Sequence, residues 1–226
     1  MVLKQNGLSI IECLLAVTFS CALIWQVFVI YQDVHETHEL QASMSQLLHH
    51  AQWFEDVMGD RILQAGNMTC VSQASKESLK KQIVQAYTYN HAPSDWSIDA
   101  AKSTQILILG SCQKQSAQDL QMQWLQTAYY LEKNSSNALY TLYQKQKGFK
   151  AMAMQDDIAS LHWFLVYATD QEGVSSAPQE VGSDHADPIV AVAWQVSFSS
   201  PTVLIHLKKA LSRIFYGYMS LHDALD

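Results

Sequence analysis

Residues 13–32 read CLLAVTFSCALIWQVFVIYQ and hold no charged side chain. A helix rises ~1.5 Å per residue, so a stretch of this length covers the ~30 Å hydrocarbon core of a bilayer. The segment therefore predicts a membrane-spanning helix. Lys4 precedes it, whereas Asp33, Glu36 and Glu39 follow it. The basic flank stays on the cytoplasmic side, and the body of the chain is expected on the other. Glu12 stands at the very start of the run. A charged side chain at membrane depth costs ~2.5–3.5 kcal/mol on insertion scales, which makes such a residue rare unless it has a partner.

Composition outside this stretch narrows the class. The chain has 226 residues, 49% hydrophobic and only 15% charged, with 8 Gly and 4 Pro. That suits one domain plus an anchor and excludes disordered, collagen-like and low-complexity chains. The formal charge of -7 gives no support to a nucleic-acid-binding role. Cys13 and Cys21 lie inside the apolar run, and Cys70 and Cys112 in the polar body. No C-x-x-C pair occurs, which argues against a zinc ribbon or a thioredoxin-like site. In an oxidising compartment Cys70 and Cys112 are expected to pair, the alternative being two buried thiols.

Three readings of the N-terminus compete. A cleaved secretory signal wants a shorter apolar core and an A-x-A-like site, and none is evident. A lipoprotein signal at Cys21 would have Ser20 before it, but Thr18 where leucine is usual. The third reading rests on Gly7-Leu8-Ser9-Ile10-Ile11-Glu12, which resembles the type IV prepilin motif. That resemblance implies a leader of residues 1–7, cleavage after Gly7 and N-methylation of Leu8. Leu8 replaces the family's commonest residue, phenylalanine. Glu12 falls fifth after the cut, where the family keeps its intramembrane glutamate, and it could meet the new amine of a neighbouring subunit.

Farther along, Arg61-Ile62-Leu63-Gln64-Ala65-Gly66 followed by Cys70 is similar to the end of the helical spine in PilW-like minor pilins. Weaker likeness continues through Ile106-Leu107-Ile108-Leu109, Tyr129-Tyr130-Leu131 and Ile189-Val190-Ala191-Val192. Major pilins usually carry a proline that kinks the exposed end of the transmembrane helix, and this chain has none there. The resemblance implies a minor pilin of the inner membrane, later of the pilus filament or its tip, serving adhesion, twitching motility or DNA uptake. Its partners would be other minor pilins, the major pilin, the prepilin peptidase, the assembly platform and a tip adhesin, with no nucleic acid bound by this subunit. The alternative is a J-type minor pseudopilin of a type II secretion system.

Neither Gly nor Pro occurs between Gly7 and Gly59. Leu40, Met44, Leu47, Ala51, Phe54, Met58, Ile62 and Ala65 recur at helical steps, so one helix over 8–65 is expected, stopped at Gly66-Asn67. Residues 8–32 would be the transmembrane part, and 33–226 the periplasmic domain. A short helix is expected over 77–86, and strands over 105–109, 122–131, 138–144, 160–168, 189–199 and 212–221. Asn134-Ser135-Ser136-Asn137 reads as a hairpin turn, and the polar stretch 169–187 as a loop. The fold class is α+β, a long helix packed on an antiparallel sheet.

Catalytic chemistry finds little purchase. His35 and His38 lie three apart beside Glu36 and Glu39, whereas a zincin needs two His four apart around a glutamate. The bland reading is a solvated face just outside the membrane. Asp170, Glu172, Asp184 and Asp187 form a sparse acidic loop, weak as a calcium site because calcium wants six to eight oxygens. No Ser-His-Asp set, phosphate loop or nucleophile elbow is present. No enzyme and no cofactor are expected.

Overall fold

The computed structural model describes residues 10–91, 93–114, 121–135, 139–168, 179–180, 189–204 and 209–221. It begins with α1, Ile10–Gln64, a single helix of 55 residues and therefore ~82 Å long. A short α2, Gln73–Lys80, leads into eight strands. These are β1 (Val84–Thr88), β2 (Gln105–Lys114), β3 (Met122–Lys133), β4 (Tyr140–Gln146), β5 (Met152–Tyr167), β6 (Gln179–Glu180), β7 (Ile189–Leu204) and β8 (Lys209–Ser220). They form one antiparallel, curled sheet in the order β1-β2-β3-β4-β5-β7-β8, with β6 attached to β5. The architecture is α+β.

The helix divides into two halves with different surroundings. From Ile10 to Leu40 its side chains stand almost wholly exposed, and from Ser43 onward one face is buried. The buried positions Ser43, Leu47, Ala51, Phe54, Met58 and Ile62 follow steps of three and four that keep to one stripe, with Gly59 buried beside Met58. This stripe lies across β7 and β8 and reaches β2 at its C-terminal end. Phe54 is its centre. Its ring lies 6.2 Å from Trp163, 6.3 Å from Trp194 and 6.2 Å from Phe198. The expected stripe extended to Leu40, but Leu40 stays 39% exposed because the sheet does not reach that far.

Close approach of helix and sheet needs small residues at two points. A Cβ on Gly59 would lie 2.9 Å from Cε of Met219 on β8. A Cβ on Gly217, opposite Trp194 in the β7–β8 register, would collide with the indole ring. The large residues at Met219 and Trp194 thus sit against gaps left by small ones, which is how a dense core is filled.

The β2 run Ile106-Leu107-Ile108-Leu109 is apolar on both faces, and the fold explains why. Leu107 and Leu109 face the helical core with Tyr129 and Leu131. Ile106 and Ile108 face away and are covered by Trp96 and Ala100, with Ala128 and Tyr130 alongside. The flap carrying Trp96 spans β1 and β2 and is held by β4: Nζ of Lys145 donates to the Ser97 carbonyl at 2.7 Å, and Lys147 pairs with Asp95 at 2.5 Å. The hydrogen bond from Lys147 keeps the Asp95 carboxyl below its ordinary range.

Several boundaries differ from expectation. The helix expected over 77–86 is α2 followed by β1, since Val84 onward pairs with β2. β2 runs on to Lys114, and β4 opens at Tyr140. β5 begins at Met152 rather than 160, because Asp157 takes a positive φ of 64° in a register shift that lets the strand bend and continue. Two residues of the stretch expected as a loop, Gln179 and Glu180, pair with β5. The rest of 169–187 lies outside the described residues.

Truncation at the centre of the stripe should be expensive. Phe54→Ala removes a fully buried ring and should lower unfolding free energy by ~3–5 kcal/mol, read from urea titration of the full chain in detergent micelles. Alkali should act through two neighbouring phenols. Burial, opposed by Arg61, pushes Tyr129 up to about 12; burial, with Glu132, Tyr143 and Asp99 adding, pushes Tyr130 up to about 12. An unfolded tyrosine ionises near ~10, so the unfolded chain gives up these protons first. Stability from this source is complete below ~10 and falls as pH rises toward ~12. Urea midpoints measured across that range should drop, and Tyr129→Phe should flatten the drop.

Candidate functional site

Two features stand out, one at each end of α1. At the start, Glu12 occupies the first turn of the described helix, on its open surface. Around it stand Ile10, Ile11, Leu14 and Leu15, each more than half exposed. The helix is long and apolar enough to cross a membrane. Two hydroxyl side chains of its apolar run bond within the helix itself: Oγ1 of Thr18 donates to the Leu15 carbonyl at 2.9 Å, and Oγ of Ser20 to the Ala16 carbonyl at 2.7 Å. Such back-bonding suits a segment with no water to bond. Cys13 and Cys21 are exposed free thiols on the same stretch, small residues at the surface of the anchor.

The polar flank begins after Tyr31. The Tyr31 and His35 rings stack at 6.2 Å, and His35 lies 3.4 Å from Glu39, one turn on. Both partners of that pair are largely exposed, so it contributes little. Among the described residues no group of three His, Cys, Asp or Glu side chains gathers to hold a metal. His35 and His38 thus form no metal centre with their neighbours. Asp170, Glu172, Asp184 and Asp187 lie outside the described residues, as do Gly7 and Leu8.

The other end of α1 is a built junction. Gly66 adopts φ +86°, a left-handed conformation that ends the helix. Its N–H then turns away from the helix and donates to the Gly110 carbonyl at 2.9 Å. The Cys112 N–H donates to the Asn67 carbonyl at 2.8 Å, and the Ile83 carbonyl accepts from Gly110 at 2.7 Å. Next to these, Cys70 and Cys112 form a disulfide with Cα atoms 5.7 Å apart. The helix end is therefore joined to β2 by hydrogen bonds and by one covalent bond. Sequence reading found the pair of cysteines but missed the flanking hydrogen bonds. The signal available was Gly110, whose missing side chain leaves space taken by Trp124 and by the Gln82 carbonyl.

A site of a third kind went unforeseen. A cleft of about 490 Å³ opens between the end of β1, the start of β2 and β5, with Lys102 and His162 on its walls. Comparison with protein-family models and with curated proteins finds no match for the chain.

The junction generates a prediction. The disulfide closes a loop of sequence separation 42, worth ~4 kcal/mol on the chain-entropy estimate. The double variant Cys70→Ser/Cys112→Ser should unfold at a clearly lower urea concentration. In unreduced, denatured protein, alkylation should mark Cys13 and Cys21 alone. Labelling of all four cysteines would show that the bridge does not form in the cell.

Proposed function

We propose that this chain is a minor type IV pilin, cut after Gly7 by a prepilin peptidase and N-methylated on Leu8. In this reading it acts in the complex that initiates or tips the filament. It would stand beside other minor pilins and the major pilin, on the inner-membrane assembly platform, with a tip adhesin as a further partner. The observation that carries the reading is Glu12 in the first turn of one uninterrupted helix, whose first half is bare and apolar and whose second half is the spine of an α+β domain.

The geometry supports a specific role for Glu12. After cleavage the amine on Leu8 would lie four residues away, ~6 Å along a helix axis. Glu12 of one subunit could meet that amine on a neighbour offset by about one turn. Both charges would then be relieved of part of their cost in a low-dielectric surround. The disulfide-locked junction suits a subunit whose spine must carry load into its sheet without slipping. No catalytic role is proposed, and no cofactor.

Mass measurement of the assembled protein should give a chain starting at Leu8 with one added methyl group, and Gly7→Ala should leave the leader in place. Glu12→Val should insert into the membrane at the wild-type level yet lower the number of pili per cell, because the neighbour's ammonium is left unpaired. An intact Met1 on assembled protein would overturn the proposal.

A further inference from the structure

The cleft between β1, β2 and β5 exists because the sheet has a gap. β4 pairs with β5 no farther than Ile158, and β6 meets it only at Phe164 and Leu165. Among the described residues, no strand covers the intervening edge of β5. The N–H of Trp163 points into this gap and is met by a side chain, donating to Oε1 of Gln105 at 2.5 Å. Gln105 thus fixes the floor, and the space above it remains open.

The walls are rich in hydrogen-bonding groups. Asn90, Lys102 and Ser103 are exposed at the rim, and Tyr89 and His162 are half-buried. The turn before β2 is held in place, since Oγ1 of Thr104 donates to the Ala101 carbonyl at 2.6 Å and the Tyr89 N–H to the Thr104 carbonyl at 3.1 Å. Ser103 is kept at φ +67°, a conformation rare for a side-chain-bearing residue. At about 490 Å³ the cleft falls within the ~300–1,000 Å³ of small-molecule sites.

The charge of the lining selects a ligand class. Among the described residues, Lys102 is its one cation besides a histidine, and no Asp or Glu lines the cleft. Among the described residues no carboxylate is paired with Lys102. One ammonium suits one carboxylate. A phosphate chain would call for more positive charge or a cradle of backbone N–H groups. The remaining hydroxyl, amide and imidazole groups suit a ligand with several hydroxyls, and Tyr89 offers an aromatic wall. The chain's net charge of -7 does not forbid an anion here, because salt screens distant charges over ~8 Å.

We propose that this cleft binds an acidic sugar, Lys102 taking the carboxylate and Asn90, Ser103 and His162 the ring hydroxyls. The site stands whether or not the chain assembles into a filament. Its test is calorimetric titration of the full chain in detergent micelles with sodium D-glucuronate, D-glucose and sodium acetate. Glucuronate should bind saturably and at least ~10-fold more tightly than either the neutral sugar or the bare carboxylate. Lys102→Ala should abolish the advantage over glucose while leaving the urea midpoint unchanged, and His162→Ala should weaken glucuronate and glucose alike. The proposal is overturned if glucuronate shows no saturable binding, if acetate or glucose binds as tightly, or if Lys102→Ala binds glucuronate like wild type.

Discussion

Phe54 against Trp163, Trp194 and Phe198 is the contact on which the remaining arrangement depends. The two tryptophans and Phe198 come from β5 and β7, adjacent strands of a curled sheet, and Phe54 fills the concave face they make. Burying these rings, together with Leu47, Met58 and Ile62 of the same stripe, supplies the driving force that holds α1 to the sheet. The other helix–sheet distances follow from this one. Gly59 lets the helix lie close to β8, and Gly217 makes room for the Trp194 indole. Enlarging either small residue would push the helix off the aromatic cluster.

Once α1 is seated, its C-terminal end cannot float. Gly66 ends the helix, and its N–H goes to β2 rather than back to the helix, so the last turn and the sheet share hydrogen bonds. The disulfide at Cys70 and Cys112 sits beside those bonds and stops this register from slipping. The flap around Trp96 does the same job on the opposite face, held to β4 through Lys145 and Lys147. Strands β1 to β3 are consequently covered on both sides, whereas β8 presents Ile214 and Tyr216 outward.

Much of this was legible because it depends on local pattern. The helix expected over 8–65 is described from Ile10 to Gln64, since its stripe holds the 3.6 period and no Gly or Pro interrupts it before Gly59. Gly66 as the stop and the hairpin after β3 also follow from residue type, and Cys70 and Cys112, the two cysteines of the polar body, pair as expected. What failed depends on tertiary context. Lys80-Lys81-Gln82 continues a helical composition, yet the chain leaves α2 there because Val84 finds a partner at Leu109. The strand expected from 160 begins at Met152 instead, because β5 passes through Asp157 with a bulge. Glu12 stands out because a carboxylate at the head of an uncharged apolar run is conspicuous in sequence. The cleft was not, because residues 88–105 and 162 meet only after the sheet curls.

The anchor half poses an energetic question that magnitudes can decide. Residues 13–32 include ten Leu, Ile, Val and Phe side chains. At ~0.3–0.6 kcal/mol each on the insertion scale they favour the membrane by ~3–6 kcal/mol. A charged side chain at the centre of such a helix would cost ~2.5–3.5 kcal/mol, and one near the edge, like Glu12, costs less. On these magnitudes a helix of this composition would favour a bilayer even with Glu12 present, and would need no partner to stay there. A partner is favoured on other grounds. Ile10, Ile11, Leu14 and Leu15 flank the carboxylate with apolar side chains, so within a bilayer an ammonium brought close to it would gain more than it would in water. The two parts of the helix would thus favour different things: the apolar run a bilayer, and the one acidic side chain at its head a cation.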